Sequence, residues 1–390
     1  MYIQRTAESL LAAILSGTKV GLVLGARQVG KTTLVEHVAG GRGALFLNFD
    51  LEVDKARFLA AAALPPTDAL RGFGSPPLLV VDEAQRLPEA ARIVKGWHDS
   101  RLPVHILLLG SSSLNLLDQT AESLTGRNRK LILPPLLFAE TLATQPWAAP
   151  EMPREHLCRH FAPQLRAWLL QRLAFGSYPE VVLTPNPAAL LRELGADYLW
   201  KDVLQTGLVK TPDLIKRLLL LLAHQAGSEV SVSELATQLQ MARPTVERYL
   251  DLLEQTFVIF RLPSFSTNPR KEIAKGRKIF FWDTGIRNAL LNAFSADALR
   301  PDIGALWENW AIAEVAKRNA LLGAPFELYF WRSRAQSEVD LVIRQDERLR
   351  AFELKWSGRR GAGRAFRDAY GVTVETLAPE NPFVADVLDG

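Results

Sequence analysis

The sequence predicts an α/β fold at its N-terminal end, a parallel sheet with helices on both faces, and three observations carry that expectation. Short apolar runs, Val20–Leu24, Ala44–Asn48, Leu78–Val81 and Val104–Leu109, are each bounded by Gly, Pro or polar residues. Helical stretches alternate with these runs, as they must where parallel strands are joined by crossovers. The first run leads through a glycine-rich turn into a helix over Thr32–Val38, an order of strand, loop and helix that turns backbone N–H groups toward an anion.

Size and composition bound the rest. A chain of 390 residues is longer than one hydrophobic core sustains, roughly 250–300 residues, so several domains are expected. An apolar content of 48% with 23% charged residues excludes a disordered or fibrous chain. The net charge of +4 is a mild basic bias, so the placement of the basic residues matters more than their total. Cys158 is the one cysteine and has no internal partner, which suits a reducing compartment. No apolar run approaches the ~20 residues that span a bilayer. A cytoplasmic protein without a membrane is the expectation.

Gly25-Ala26-Arg27-Gln28-Val29-Gly30-Lys31-Thr32, with Thr33 after it, matches the pattern GxxxxGK[ST] between a buried strand and a helix. Its glycines let the backbone wrap phosphates, Lys31 is expected to reach the β and γ phosphates, and the Thr32 hydroxyl to ligate magnesium. Leu78-Leu79-Val80-Val81-Asp82-Glu83 puts two carboxylates at the C-terminal end of an apolar strand, where such sheets place their ligands. Asp82 is expected to hold the magnesium and Glu83 to orient the attacking water. ATP and Mg²⁺ are therefore the expected cofactors.

Ser111-Ser112-Ser113 follows the strand Val104–Leu109, which makes Ser112 a candidate γ-phosphate sensor, with a helix N-cap as the plainer alternative. Beyond it, Arg127 and Arg129 are candidate arginine fingers, acting on a neighbouring subunit of a homo-oligomer or ring if either works in trans.

These motifs, with Glu122-Ser123-Leu124-Thr125-Gly126-Arg127, Leu133-Pro134-Pro135-Leu136, Phe175-Gly176-Ser177-Tyr178-Pro179-Glu180 and Phe281-Trp282-Asp283-Thr284-Gly285, resemble the AAA+-related ATPases of bacteria and archaea that carry a C-terminal domain of unknown function. The resemblance runs over nearly the whole chain and implies an ATPase, without settling what it acts on.

Four segments are expected: the P-loop ATPase core over 1–138, a helical lid over 139–225, a winged helix-turn-helix over 226–295, and a small α/β domain over 296–390. The winged helix rests on a short helix at Ser233–Ala236, a turn at Gln240–Arg243, a second helix opened by Pro244, and strands Val258–Leu262 and Lys278–Phe281. Arg243 and Arg248 on the second helix, with Arg270, Lys271, Lys275, Arg277, Lys278 and Arg287 around the wing, make a basic patch that would give salt-dependent DNA contact. Packing between domains is the other use of such a face.

In the last segment, Glu308 on a helix, Asp340 on one strand, and Glu353 and Lys355 two apart on another could meet at a metal-bound phosphodiester. The arrangement resembles the PD-(D/E)XK nuclease fold, which implies a metal-dependent site at Glu308, Asp340, Glu353 and Lys355. His156 and His160 lie one helical turn apart near Cys158, but two imidazoles are not a full ligand set. The expectation is thus an ATPase coupling hydrolysis to DNA binding or remodelling with a nuclease-like module. Its rival is a nucleotide-dependent switch or scaffold that binds protein partners and keeps an inactive nuclease fold.

Overall fold

The computed structural model describes residues 1–390 apart from 112–123, 150, 196–211, 267–275, 334, 336, 359–362 and 390. The chain divides into two compact units, Gln4–Pro134 and Met1–Ile3 together with Pro135–Gly390.

The unit Gln4–Pro134 contains α1 (Ala7–Leu15), β1 (Val20–Leu24), α2 (Lys31–Ala39), β2 (Ala44–Asn48), α3 (Glu52–Ala62), α4 (Pro66–Gly72), β3 (Leu78–Asp82), α5 (Ala90–Asp99), β4 (His105–Gly110) and β5 (Asn128–Ile132). The strands form one five-stranded sheet in the order β2-β3-β4-β1-β5, every pair parallel. All five residues of β1 are buried, which is why its sequence is apolar without alternation: both faces of a parallel sheet are covered. α5 shows the complementary pattern. Its buried residues Ala90, Ala91, Val94 and Trp97 share one stripe, and Trp97 packs 5.0 Å from Phe58 and 5.9 Å from Phe73 by ring centroids. Because β4 separates β1 from β3, the loops leaving all three strands open at one edge of the sheet.

The second unit contains α6 (Phe138–Leu142), α7 (Arg154–His160), α8 (Ala162–Phe175), α9 (Pro179–Leu183), α10 (Pro187–Glu193) and α11 (Pro212–His224). It continues with β6 (Glu229–Val230), α12 (Val232–Leu239), α13 (Arg243–Gln255), β7 (Ile259–Pro263), β8 (Arg277–Phe281) and α14 (Thr284–Leu291). The last part is α15 (Ile303–Leu321), β9 (Glu327–Arg332), β10 (Glu338–Gln345), β11 (Arg348–Leu354), α16 (Arg364–Tyr370) and β12 (Val374–Leu377). β6, β8 and β7 make an antiparallel sheet in that order; β12-β11-β10-β9 make a second sheet, antiparallel except between β11 and β12.

The three segments expected behind residue 138 share one core. Phe138, Leu169, Phe280, Trp307, Trp310 and Phe330 belong to a single buried cluster drawn from all of them. Two of the sequence motifs meet inside it. Asp283 caps α14 by accepting from the N–H groups of Gly285 and Ile286, and its carboxylate also accepts from Ser177 N–H at 2.7 Å. Gly176 has φ 70°, and a Cβ there would stand 1.9 Å from Asp283 Oδ1, so glycine is the residue that lets this carboxylate in.

Candidate nucleotide site and C-terminal carboxylate cluster

After Leu24 the backbone turns through residues 25–30 before α2 begins at Lys31. Gln28 and Gly30 take left-handed conformations, φ 60° and 90°, which curl the loop so that successive N–H groups can face one anion. Gly25 has no room for a side chain, since a Cβ there would lie 2.1 Å from the Leu133 carbonyl oxygen. Ala26 and Val29 are buried beneath the loop, whereas Gln28 and Thr33 are exposed and Arg27 is half-buried. Lys31 is buried, and its Nζ donates to the carbonyls of Gly25 and Ala26 at 2.9 Å each.

The Thr32 hydroxyl donates to Asp82 Oδ2 at 2.6 Å, which joins the start of α2 to the end of β3. A hydroxyl and a carboxylate held together beside a phosphate loop are the donor set that a nucleotide-bound magnesium uses, so the residues fit that ion. Asp82 Oδ1 accepts from Glu83 N–H at 2.8 Å. Glu83 itself stands at φ 52°, an uncommon conformation for a residue with a side chain and one that recurs at functional positions. Gln85 Nε2 donates both to Glu83 Oε2 and, at 3.0 Å, to Ser111 Oγ. Ser111 is buried and also lies 3.4 Å from Glu83 Oε2. Gln85 Oε1 is buried with no hydrogen-bond partner among the described residues, leaving an acceptor beside the two acids.

The expected sensor Ser112 lies outside the described residues, and the hydroxyl seen next to Glu83 belongs to Ser111. Gln85 is a site residue that the sequence reading missed, although its place two residues after Glu83 was a usable signal. Arg5 had no such signal. Its buried guanidinium donates to the carbonyls of Val29 at 2.9 Å and Pro134 at 2.7 Å, bracing the phosphate loop from beneath.

Arg127 and Arg129, the candidate fingers, lie away from the chain's own phosphate loop. Arg129 pairs with Gly21, and Arg127 C=O accepts from Val20 N–H, so both sit at the start of β1 and β5. The phosphate loop leaves the other end of the same strand, ~15 Å away at about 3.3 Å per residue. Arg127 donates to Asp99 at 2.6 Å and holds that carboxyl below its ordinary range, while Arg129 is exposed.

In the second unit, the hairpin β10–β11 turns through two residues, with Asp346 left-handed at φ 51°. β10 shifts register against β9 between Val339 and Val342, a bulge of the kind that re-aims a side chain, and Asp340 sits in it. Asp340 Oδ2 accepts from Leu354 N–H at 2.7 Å; Glu353 pairs with Lys355 at 2.8 Å. Lys278 Nζ pairs with Glu308 at 2.7 Å and with Glu338 at 2.5 Å. Glu338, whose other oxygen is held by Arg332 at 2.7 Å, is a second residue the sequence reading missed.

Burial raises Asp340, opposed by the Leu354 N–H, and burial pushes Glu308 up to about 7, opposed by Lys278 and reinforced by Asp340. Burial acts to lower Lys278, but its two carboxylates outweigh it and hold the amine charged; Glu338 is lowered against its own burial by Lys278 and Arg332. Lys278 and Glu308 both move up, so the ammonium belongs chiefly to Glu338 and Glu308 is the partner that can take a proton. Between the ordinary 4.5 and about 7 the folded chain then holds more proton at Glu308 than the unfolded chain. Stability contributed there falls as pH rises through that window. Thermal unfolding followed from pH 5 to pH 7.5 should show this decline, and Glu308→Gln should flatten it while Lys278, Glu338, Asp340 and Lys355 stay in place.

With Lys278 paired to two of the acids, the cluster as it stands does not fit a metal ion. Among the described residues no group of three or more His, Cys, Asp or Glu could hold a metal ion. That includes Glu308, Asp340 and Glu353, and also the pair His156 and His160, whose ring centroids lie 4.4 Å apart with the rings tilted by 37°. The DNA expectation thins as well. Lys278 is buried in its ion pairs, and Arg287 is buried against Asp302 and the Ala223 carbonyl, so neither can touch a phosphate. Arg243, Arg248 and Arg277 are exposed, Arg243 beside Glu247 at 3.3 Å; Arg270, Lys271 and Lys275 lie outside the described residues.

An AAA domain model matches residues 17–142, a domain of unknown function (DUF8612) residues 166–297, and a second (DUF4143) residues 303–383. The uncharacterized protein Rv2008c of Mycobacterium tuberculosis is 30% identical over 374 residues, covering 94% of this chain and 77% of that one. The uncharacterized protein MJ1544 of Methanocaldococcus jannaschii is 25% identical over 343 residues, covering 83% and 72%. Among solved structures, the Walker-type ATPase paby2304 of Pyrococcus abyssi superposes with a TM-score of 0.53 at 16% identity, over 74% of this chain and 96% of that one, a likeness of fold. No helix among the described residues is long and apolar enough to cross a membrane.

Proposed function

The chain belongs to the family of the mycobacterial protein, P-loop ATPases of the AAA type with a DUF4143 domain at the C-terminal end, and from that premise we propose that it is an ATP-driven switch. The observation that supports this best is the bond between Thr32 and Asp82 with Glu83 held beside it by Gln85 and Ser111. Thr32 and Asp82 would hold magnesium, which supplies neutralisation of the phosphate charge when bound. Lys31 exchanges its two carbonyl partners for the β and γ phosphates. Glu83 orients the attacking water and takes up its proton, and the contact of Gln85 with both Glu83 and Ser111 keeps that carboxylate aimed. Ser111 is then positioned to register whether the γ-phosphate is present.

In this reading α12, α13 and the sheet β6-β8-β7 form a winged helix, and β9 to β12 with α15 a module of nuclease shape. The nucleotide cycle acts on this second unit, whose partner is a protein. A second reading, coupling to DNA, keeps some support from the exposed Arg243, Arg248 and Arg277. Arg127 and Arg129 would complete the site of an adjacent copy if the chain assembles into a ring.

ATP turnover measured alone and with single-stranded, duplex and branched DNA separates the two readings. A switch for protein partners turns over at the same rate in all four, and any DNA binding changes little between 50 and 200 mM salt. Stimulation by one DNA form, with a steep salt slope that Arg243→Glu and Arg277→Glu flatten, would replace the first reading with the second.

A further inference from the structure

The carboxylates of the second unit raise a separate question, independent of the ATPase reading: what balances them. Glu308 comes from α15, and Glu338 and Asp340 from β10, and all three are partly shielded from water. Taking an ion out of water is compensated only by close partners with good geometry. The partner present comes from a different element, β8. The side chain of Lys278 is 4% exposed, runs past the Phe330 ring with Nζ 5.6 Å from its centroid, and ends between Glu308 at 2.7 Å and Glu338 at 2.5 Å. Arg332 closes the outer side of Glu338 and reaches Glu229 at 3.1 Å, so the charges form a continuous row from β6 to β10. Gly227 lines the inner side, where a Cβ would stand 3.4 Å from the Glu308 carboxylate.

We propose that the Lys278 ammonium is a built-in replacement for a divalent cation: it fills the position between Glu308 and Glu338 that a metal would need, and latches β8 to α15 and β10 in doing so. The contacts are hydrogen-bond lengths to an amine rather than the 2.0–2.2 Å of Mg²⁺ or Zn²⁺ ligation. A compact, strongly hydrated point charge on a flexible stem is the side chain suited to that substitution. The latch also accounts for a lysine of the expected basic wing being buried instead of facing a phosphate. With the amine removed, Glu308 loses its ion-pair partner and Glu338 keeps only Arg332, and the acids can close on a divalent ion.

The test is a titration of the nucleotide-free full chain with Mn²⁺ alone, followed by electron paramagnetic resonance. The natural chain should show no Mn²⁺ binding that Asp340→Asn abolishes. Lys278→Met should gain one Mn²⁺ per chain, at least about tenfold tighter than anything the natural chain shows, and lose it again in Lys278→Met/Asp340→Asn. If Lys278→Met does not fold, Lys278→Gln, which keeps a hydrogen-bond donor without the charge, carries the same comparison. Mn²⁺ bound by the natural chain and lost on Asp340→Asn would overturn the proposal whatever the lysine variants do. So would a folded Lys278→Met or Lys278→Gln that binds no more Mn²⁺ than the natural chain.

Discussion

Glu83→Gln is expected to bind ATP with natural affinity and to hydrolyse it at least about a hundredfold more slowly, a loss of about 2.7 kcal/mol of transition-state stabilisation. The amide has nearly the shape of the carboxylate, so Gln85 and Ser111 can still hold the side chain. What it lacks is the negative charge that aims a water at the γ-phosphate and accepts its proton. The loss should therefore fall on the rate of turnover and leave binding intact. Lys31→Ala should do the reverse, because an ammonium resting on the carbonyls of Gly25 and Ala26 is poised to move to phosphate rather than to act on water. Its main effect should be a rise in the nucleotide Kd, read by titration with a fluorescent ATP analogue. Equal turnover in Glu83→Gln and the natural chain would remove Glu83 from the role assigned to it.

The arrangement of the candidate nucleotide site was legible because its parts are local. A phosphate loop is set by consecutive residues between one strand and one helix, and Asp82-Glu83 ends an apolar strand that the sheet places next to the loop. Arg5 was illegible for the opposite reason: it lies 24 residues before Val29 and 129 before Pro134, and neither carbonyl leaves a mark on the sequence. Which end of the sheet Arg127 and Arg129 occupy was illegible, because spacing gives no indication of the end of a strand at which a residue lies. In the second unit Glu308, Asp340, Glu353 and Lys355 could be picked out by type and order. What cancels them could not, since Lys278 arrives from β8, 30 residues before Glu308. A row of lysines and arginines reads as a solvated face until packing shows which of them carry a charge into the core.

Another ion pair, wholly buried, should have the largest effect on stability. Glu314 and Lys317, one turn apart on α15, are each 2% exposed and 2.9 Å from one another. They do more than pair. Glu314 Oε2 accepts from the N–H of Phe138, the first residue of α6, and Lys317 donates to the Leu136 carbonyl at 3.2 Å, so the two charges hold the backbone just past Pro135. Burial pushes Glu314 up, with Lys317 and the Phe138 N–H pulling it back. Removing one partner strands the other charge in the core, a loss of about 3–5 kcal/mol. For a unit of this size each kcal/mol moves Tm by about 2–4 °C. Lys317→Met should thus lower the melting temperature of this unit by on the order of 10 °C, measured by calorimetry on the full chain. Glu314→Gln/Lys317→Met removes both charges and keeps an acceptor for the Phe138 N–H, so it should recover a large part of that loss. If the double variant melts as low as the single, the penalty comes from packing and from the Leu136 carbonyl rather than from an unbalanced charge.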